Sequence, residues 1–198
     1  LKAGVSLQGN SMEATNHLFD TVSSDPDSQI YVTAWLMRTA YETNNSKYIE
    51  MGEAARIAGE RSSHALRGFW MRQYAAVAAV LNNDTIAAAQ QYSALARDKG
   101  TVGLGFFSTD HILALLAYTI ENLDDAGTHF KDAITFCRKA NYRPELAWTC
   151  YDYADMLIQG NEARDHSKAR ELLDESDQIV SDLGMNPLNK KAPALRER

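Results

Sequence analysis

Three short patterns with identical helical spacing recur along this chain and constrain its fold more than any other feature. Each pattern places small or apolar residues at positions i, i+4 and i+7, so its three members share one face of a helix. Successive patterns begin about 40 residues apart, a period typical of repeated helical hairpins. The three trios are Ala88, Tyr92 and Leu95; Ala126, Phe130 and Ala133; and Ala169, Leu173 and Ser176. They predict an all-α chain of roughly four to five antiparallel hairpins, each buried against its neighbours.

The composition supports this prediction and argues against several classes of partner. Of 198 residues, 45% are hydrophobic and only 11 are Gly and 4 are Pro, which indicates a well-packed helical protein. The net charge of −6, with scattered basic residues, argues against nucleic acid or an anionic membrane as a partner. No apolar run approaches the roughly 20 residues that span a bilayer, and no signal segment opens the chain. We therefore expect a soluble, cytoplasmic protein.

Prolines and glycines mark the expected ends of the helices. Pro26 and Pro144 stand where a helix begins, and Gly100 and Gly184 stand where a left-handed residue ends one. We predict nine helices, over residues 10–23, 27–43, 46–60, 63–81, 84–99, 108–121, 123–139, 144–160 and 166–183.

These helices are expected to form one repeat domain that covers residues 1–188. The remaining tail, 189–198, is polar and contains a proline, so we expect a frayed end. Its basic residues are Lys190, Lys191, Arg196 and Arg198.

Motifs for catalysis or metal binding are absent from the sequence. None of the five histidines has a Cys, Glu or second His at a metal-ligand spacing, so no metal site and no cofactor are predicted. The glycine-rich segment from Gly100 to Gly105 lacks a preceding strand and a following Gly-Lys-Ser/Thr, which favours a flexible connector over a phosphate loop. Cys137 and Cys150 are expected to be reduced and partly buried. We expect no enzymatic activity.

The first helix of each hairpin is expected to line the concave side of the stack. Small residues that precede the trios, Ala76, Ala114 and Ala154, mark where these first helices pack. Nearby positions on the same helices combine aromatic, amide, imidazole and carboxylate groups, as peptide-binding surfaces do. The predicted binding residues are Trp70, Gln73, His111, Tyr118, Trp148, Tyr151 and Asp155. For Trp70 and Trp148, burial in the core between adjacent hairpins is the alternative.

The trio Ala, Phe/Tyr, Ala on a second helix, with a small residue on the first, resembles the packing signature of tetratricopeptide repeats. The period is longer than the usual length of about 34 residues, Ser176 replaces the third Ala, and the motif Trp-x-x-Leu-Gly-x-x-Tyr is absent. Such variant repeats look like those of bacterial signal-transduction ATPases and maltose-type transcriptional activators. The segments from Phe130 to Leu157 and from Leu183 to Leu188 are similar to the C-terminal helical tail of those multidomain regulators. The resemblance implies a right-handed αα-superhelix, or solenoid, with no catalytic residues.

These observations lead to three hypotheses of different kinds. The first is a non-catalytic module that binds a protein or peptide, as the sensor or scaffold segment of a bacterial signalling or transcription regulator. Such a segment would act on other domains of a larger parent chain. The second is a metabolite receptor that binds a small molecule in the solenoid groove. The third is a structural solenoid that self-associates into a homo-oligomer through its exposed apolar ends.

Overall fold

Helices account for nearly all of the described chain. The computed structural model describes residues 26–59, 62, 66–103, 107–160 and 163–196, which contain nine α-helices and no strand beyond one isolated bridge. The helices are α1 (Pro26–Thr43), α2 (Ser46–Gly59), α3 (Arg67–Leu81), α4 (Thr85–Leu95), α5 (Thr109–Thr119), α6 (Leu123–Lys139), α7 (Arg143–Gly160), α8 (Ala163–Leu183) and α9 (Asn186–Arg196). The predicted all-α fold is confirmed, and the predicted helix 10–23 lies outside the described residues. None of the described helices has the length and apolar character needed to cross a bilayer.

Short turns with a left-handed residue connect many of the helices. Asn83, Glu121, Asn141 and Gly184 have positive φ values of 51°, 61°, 51° and 66°. The residue after each of them donates its main-chain N–H to a carbonyl five positions earlier, which satisfies the end of the preceding helix. These bonds are Asp84 to Ala79 (2.9 Å), Asn122 to Ala117 (2.9 Å), Tyr142 to Cys137 (2.8 Å) and Met185 to Val180 (3.1 Å). Such tight turns make the connected helices antiparallel neighbours.

The odd-numbered helices α1, α3, α5 and α7 form a row, named here the inner row. Each contacts the next odd-numbered helix, while α2, α4, α6 and α8 each pack against the inner-row helix that precedes them. The largest apolar cluster extends from Met37 on α1 to Leu195 on α9. A smaller cluster between α1 and α2 contains Val32, Leu36, Ala40, Tyr48 and Ala55. Helix α9 contacts α8, α7 and α1, so the end of the described chain returns to its beginning.

The trios occupy buried positions on α4, α6 and α8. All of their residues are buried except Tyr92, which is partly exposed and packs against the core. The small residues Ala76, Ala114 and Ala154 on the inner row are fully buried as well. The hydroxyl of Ser176 donates to the carbonyl of Ala147 at 2.9 Å, which explains how a polar residue is accommodated in the third trio.

The prediction of a frayed tail is wrong for residues 189–196, which belong to helix α9 (Asn186–Arg196); residues 197 and 198 lie outside the described part of the chain. Leu188, Ala192 and Leu195 are at most 3% exposed and attach α9 to the rest of the core. They have the same i, i+4, i+7 spacing as the three trios, but the charges and Pro193 around them obscured the pattern.

The glycine-rich segment is also more ordered than a flexible connector, as far as the structure describes it. In its described part, the N–H of Gly103 donates to the carbonyl of Phe107 at 3.0 Å, and the N–H of Thr109 donates to the carbonyl of Thr101 at 2.9 Å. Gly103 lies so close to α3 that a Cβ atom there would be 1.4 Å from Oε1 of Gln73. The segment therefore holds the start of α5 against α3.

Candidate functional site

A group of charged side chains lies buried between α1, α5 and α7. Arg38 forms ion pairs with Glu42 (Nε to Oε1, 2.7 Å) and with Glu145 (Nη1 to Oε2, 2.8 Å). The ring of His111 joins the same carboxylate through Nδ1, 2.9 Å from Oε1 of Glu145, and reaches Asp152 through Nε2 at 2.8 Å. These five residues and Lys191 are named here the charge cluster. Because buried ions need close partners, the cluster fixes the three helices relative to one another.

The pKa values of His111 and Glu145 favour the charged forms of both side chains. Burial alone lowers the pKa of His111, but the charge of Glu145 and hydrogen bonds to Asp152 and Glu145 outweigh it and raise this pKa to about 9. Burial raises the pKa of Glu145, but the neighbouring His111 and Arg38 more than compensate and hold it below its usual value. At neutral pH the imidazole is therefore protonated and the Glu145 carboxyl is ionised.

Lys191 of α9 adds the sixth charge of the cluster. Its Nζ donates to the carbonyl of Tyr41 at 3.3 Å and lies 5.1 Å from the ring centroid of Trp148. Burial lowers the pKa of Lys191, whereas the charges of Asp152 and Glu42 act in the opposite direction. With Lys191 the cluster contains three cations and three carboxylates. This balance explains how so many charges are accommodated in one buried region.

Aromatic rings pack around Arg38 at the buried end of the cluster. The guanidinium carbon of Arg38 lies 4.6 Å from the ring centroid of Phe107, 5.5 Å from that of Trp148 and 5.6 Å from that of Tyr41. The Tyr41 hydroxyl also donates to the Asp152 carboxylate. Cation–π contacts of this kind are strongest where the cation is desolvated, as Arg38 is here.

An open cleft of about 810 Å³ lies beside the charge cluster, at one end of the inner row. The last residues of α1, α3 and α5 meet there, together with the C-terminal half of α7 and part of α9. The lining residues are Tyr41, Asn44, Val80, Leu81, Asn83, Thr85, Leu115, Tyr118, Thr119, Glu121, Tyr151, Asp152, Asp155, Gln159, Lys190, Lys191 and Ala194. Carbonyl groups at helix C-termini carry partial negative charge. The wall also contains three carboxylates and the two lysines of α9, so acidic groups are in slight excess.

Three of the seven predicted binding residues, Tyr118, Tyr151 and Asp155, line this cleft. His111 belongs to the charge cluster and is 0% exposed. Trp70 lies on the N-terminal half of α3, away from the cleft lining, with its ring centroid 6.0 Å from that of Tyr31.

Gln73 and Trp148 are core residues and do not lie on a surface. Gln73 is 0% exposed and donates to Oγ1 of Thr109 at 3.1 Å, and Trp148 is 1% exposed. Together with His111, they correct the prediction of a continuous exposed face. The physical reason is that other elements cover these positions. Arg38 and Tyr41 of α1 reach Glu145 and Trp148 of α7, and Gly103 lies against Gln73.

Sequence reasoning missed the remaining members of the cluster. Arg38 and Glu42 stand among apolar residues of α1, which is the one local sign that they are buried in pairs. Glu145 follows a proline in the first turn of α7, where an acidic residue has an ordinary role at the helix N-terminus. Nothing near Lys191 in the sequence indicates that it meets Tyr41.

Comparison of the chain with protein-family models, with curated proteins and with solved structures finds no match. The geometry of the cleft and of the charge cluster therefore carries the functional argument.

Proposed function

We propose that this chain is a non-catalytic binding module whose cleft receives a Lys- or Arg-bearing segment of a protein or peptide. The observation that carries this proposal is the position of Lys191. Its ammonium group already lies against the carbonyl of Tyr41, among the last four residues of α1, and within the field of Asp152. A second cation that entered the cleft would meet the same kind of environment at the ends of α3 and α5.

The walls of the cleft supply apolar contact area as well as charge. Tyr118 and Tyr151 present aromatic rings, and Glu121 and Asp155 provide acidic groups. Rigid aromatic area beside hydrogen-bonding groups is the composition of protein-binding surfaces. The cleft is open and six helices contribute to it, which suits an extended segment better than an enclosed small molecule.

The charge cluster itself supports binding over catalysis. Both ring nitrogens of His111 are held by carboxylates, and the ring is fully buried, so it has no nitrogen available to a substrate. In this proposal the cluster has a structural role: it holds the helices that line the cleft in fixed positions.

The arrangement of hairpins supports the finer proposal of a tetratricopeptide-like solenoid. The inner row is covered by the helices that bear the trios, as in stacked hairpin repeats. We propose accordingly that the chain is a cytoplasmic sensor or scaffold segment of a bacterial signalling or transcription regulator, acting with other domains of a parent chain.

The test compares two charge reversals of equal size. Asp155→Arg changes the cleft, while Glu50→Arg makes the same change at an exposed position of α2 outside the cleft. Peptides of random sequence with a central Lys, and the same peptides with Glu in its place, are measured against both variants by fluorescence anisotropy. We expect Lys peptides to bind the parent chain and the Glu50→Arg variant, and to bind Asp155→Arg roughly tenfold more weakly.

Four results would overturn the proposal. Equal binding of Lys and Glu peptides would contradict the charge argument, and equal loss in both variants would place the contact outside the cleft. A small molecule retained by the purified chain and released by Asp155→Arg would favour the metabolite receptor. Concentration-dependent sedimentation without peptide binding would favour the self-associating solenoid.

A further inference from the structure

A second group of polar side chains, separate from the cleft, bridges α5 and α6. Asp110, His129 and Asp132 each present one ligand atom, and these three atoms lie within 4.8 Å of one another. Asp110 and His129 are 3% and 2% exposed, whereas Asp132 lies at the surface. The group therefore has two fixed members and one that can adjust from the solvent side.

The ring of His129 is oriented so that its Nδ1 atom is left without a partner. The Tyr92 hydroxyl donates to Oδ2 of Asp125 at 3.1 Å, and its oxygen lies 3.0 Å from Nε2 of His129. Because the hydroxyl has one proton and gives it to Asp125, its oxygen accepts the Nε2 proton of the imidazole. In the neutral ring, Nδ1 then carries a bare lone pair, and this buried atom has no hydrogen-bond partner.

An orphaned buried nitrogen is destabilising unless a ligand satisfies it. Nδ1 is the ring atom left for a metal, because Nε2 is already bonded to the Tyr92 hydroxyl. The chain Asp125, Tyr92, His129 also resembles the outer-shell hydrogen bonds that fix the tautomer of metal-binding histidines.

The Asp110 carboxylate is held in place by the main chain. Its Oδ2 accepts the N–H of Gly100 at 2.7 Å, which leaves its second oxygen for another partner. His129 and Asp132 are three positions apart on α6 and therefore share one helix face. The charges of Asp110, Asp125 and Asp132 all act on the His129 ring, and the charge of Lys99 opposes them.

We propose that Asp110, His129 and Asp132 form a binding site for one divalent transition-metal cation, with Zn²⁺ as its best-suited occupant. One imidazole nitrogen and two carboxylate oxygens suit Zn²⁺ better than Mg²⁺ or Ca²⁺, which prefer oxygen ligands alone. Closure of the site needs only a small movement of the exposed Asp132 side chain toward the two buried groups. Three protein ligands leave a coordination position for water or for a group from a partner.

This site was not predicted because its ligands come from two helices. A search for Cys, Glu or a second His around each histidine overlooks the pair His129 and Asp132, and Asp110 is brought to them by the α5–α6 hairpin. This proposal replaces the prediction, made from the sequence, that the chain contains no metal ligands.

The test is a calorimetric titration of the full chain with ZnCl₂ and, separately, with MgCl₂. We expect one Zn²⁺ per chain, no comparable heat with Mg²⁺, and a higher melting temperature with Zn²⁺ because the ion binds only the folded chain. Asp132→Asn, at an exposed position that does not perturb folding, is expected to weaken Zn²⁺ binding by roughly tenfold or more. Its control, Asp124→Asn, removes an exposed acid of the same helix outside the site and is expected to leave the affinity unchanged.

A second pair of variants separates this site from adventitious histidine binding. His129→Gln is expected to abolish the stoichiometric Zn²⁺ site, while His166→Gln on α8 is expected to retain it. The proposal is overturned if the parent chain shows no Zn²⁺ binding up to millimolar metal, or if Asp132→Asn and Asp124→Asn bind Zn²⁺ equally well. The two cysteines do not compete for the metal, because both are buried and burial raises the pKa of each thiol.

Discussion

Arg38 and Glu145 are 107 positions apart in the chain, yet they form a buried ion pair with an Nη1 to Oε2 distance of 2.8 Å. The pair joins α1 to α7 directly and thereby brings the beginning of the inner row to its end. Each side chain depends on the other, because a buried charge without its partner carries a large desolvation penalty.

Replacement of Glu145 by Gln should therefore destabilise the fold strongly. The change leaves Arg38 and His111 with fewer opposing charges in a buried setting, and we expect the free energy of unfolding to fall by about 3–5 kcal/mol. Urea denaturation followed by circular dichroism measures this value. The matched control is Glu171→Gln, which removes the exposed pair with Lys168 and should cost about 0–1 kcal/mol. Similar losses in both variants would contradict a structural role for the cluster.

The raised pKa of His111 predicts how stability depends on pH. The ordinary imidazole pKa is 6.5 and the folded value is about 9, so the folded chain holds this proton more tightly than the unfolded chain does. The resulting stabilisation is complete below pH 6.5 and is lost as the pH rises toward 9. We expect the free energy of unfolding, measured by urea denaturation across this window, to decrease with pH.

The His111→Gln variant tests whether His111 causes this pH dependence. We expect the variant to be less stable, and it has no imidazole at that position to titrate. Its free energy of unfolding should change less between the two ends of the window than that of the parent chain. For Glu145, whose pKa is lowered, the sign is opposite: its contribution is present above the ordinary carboxyl value of 4.5 and is lost at lower pH. An unchanged slope in His111→Gln would assign the pH dependence to another group.

Lys191 should contribute far more to stability than its neighbour Lys190. Lys191→Met keeps the apolar stem but removes the cation that pairs with the Tyr41 carbonyl and balances Asp152, so we expect a loss of about 1–3 kcal/mol. Amide hydrogen exchange within α9 should accelerate as well. Lys190 is exposed, and Lys190→Met should change stability by no more than about 0.5 kcal/mol. Equal effects of the two substitutions would show that Lys191 does not belong to the cluster.

Gly103 is predicted not to tolerate substitution even by alanine. The added methyl group would overlap the Gln73 side chain, which is buried and hydrogen-bonded to Thr109, and should cost about 1–3 kcal/mol. At Gly160 a Cβ meets no atom within 4 Å, so Gly160→Ala should be neutral or slightly stabilising. Thermal denaturation of the two variants distinguishes these outcomes, and a neutral Gly103→Ala would show that Gln73 can move aside.

Local patterns predicted the helices well, because the signals that start, stop and bury a helix lie within one or two turns. The trio Ala126, Phe130 and Ala133 is fully buried, and α6 has the predicted bounds of 123–139. The failure to predict helix α9 also comes from reading local signals. Leu188, Ala192 and Leu195 carry the packing signal, but a proline and several charges nearby outweighed it in the interpretation.

The sequence alone thus determined most of the described helical segments and which face of several helices is buried, since both follow from residue spacing along a single helix. Only the tertiary structure decided which polar residues are covered and which meet. His111 and Trp148 become buried because α1 returns to α7, whereas Tyr151 and Asp155 stay at the cleft. The same return brings Lys191 to Tyr41, 150 positions away. Such contacts depend on how successive hairpins are rotated against one another, and no local pattern encodes that angle.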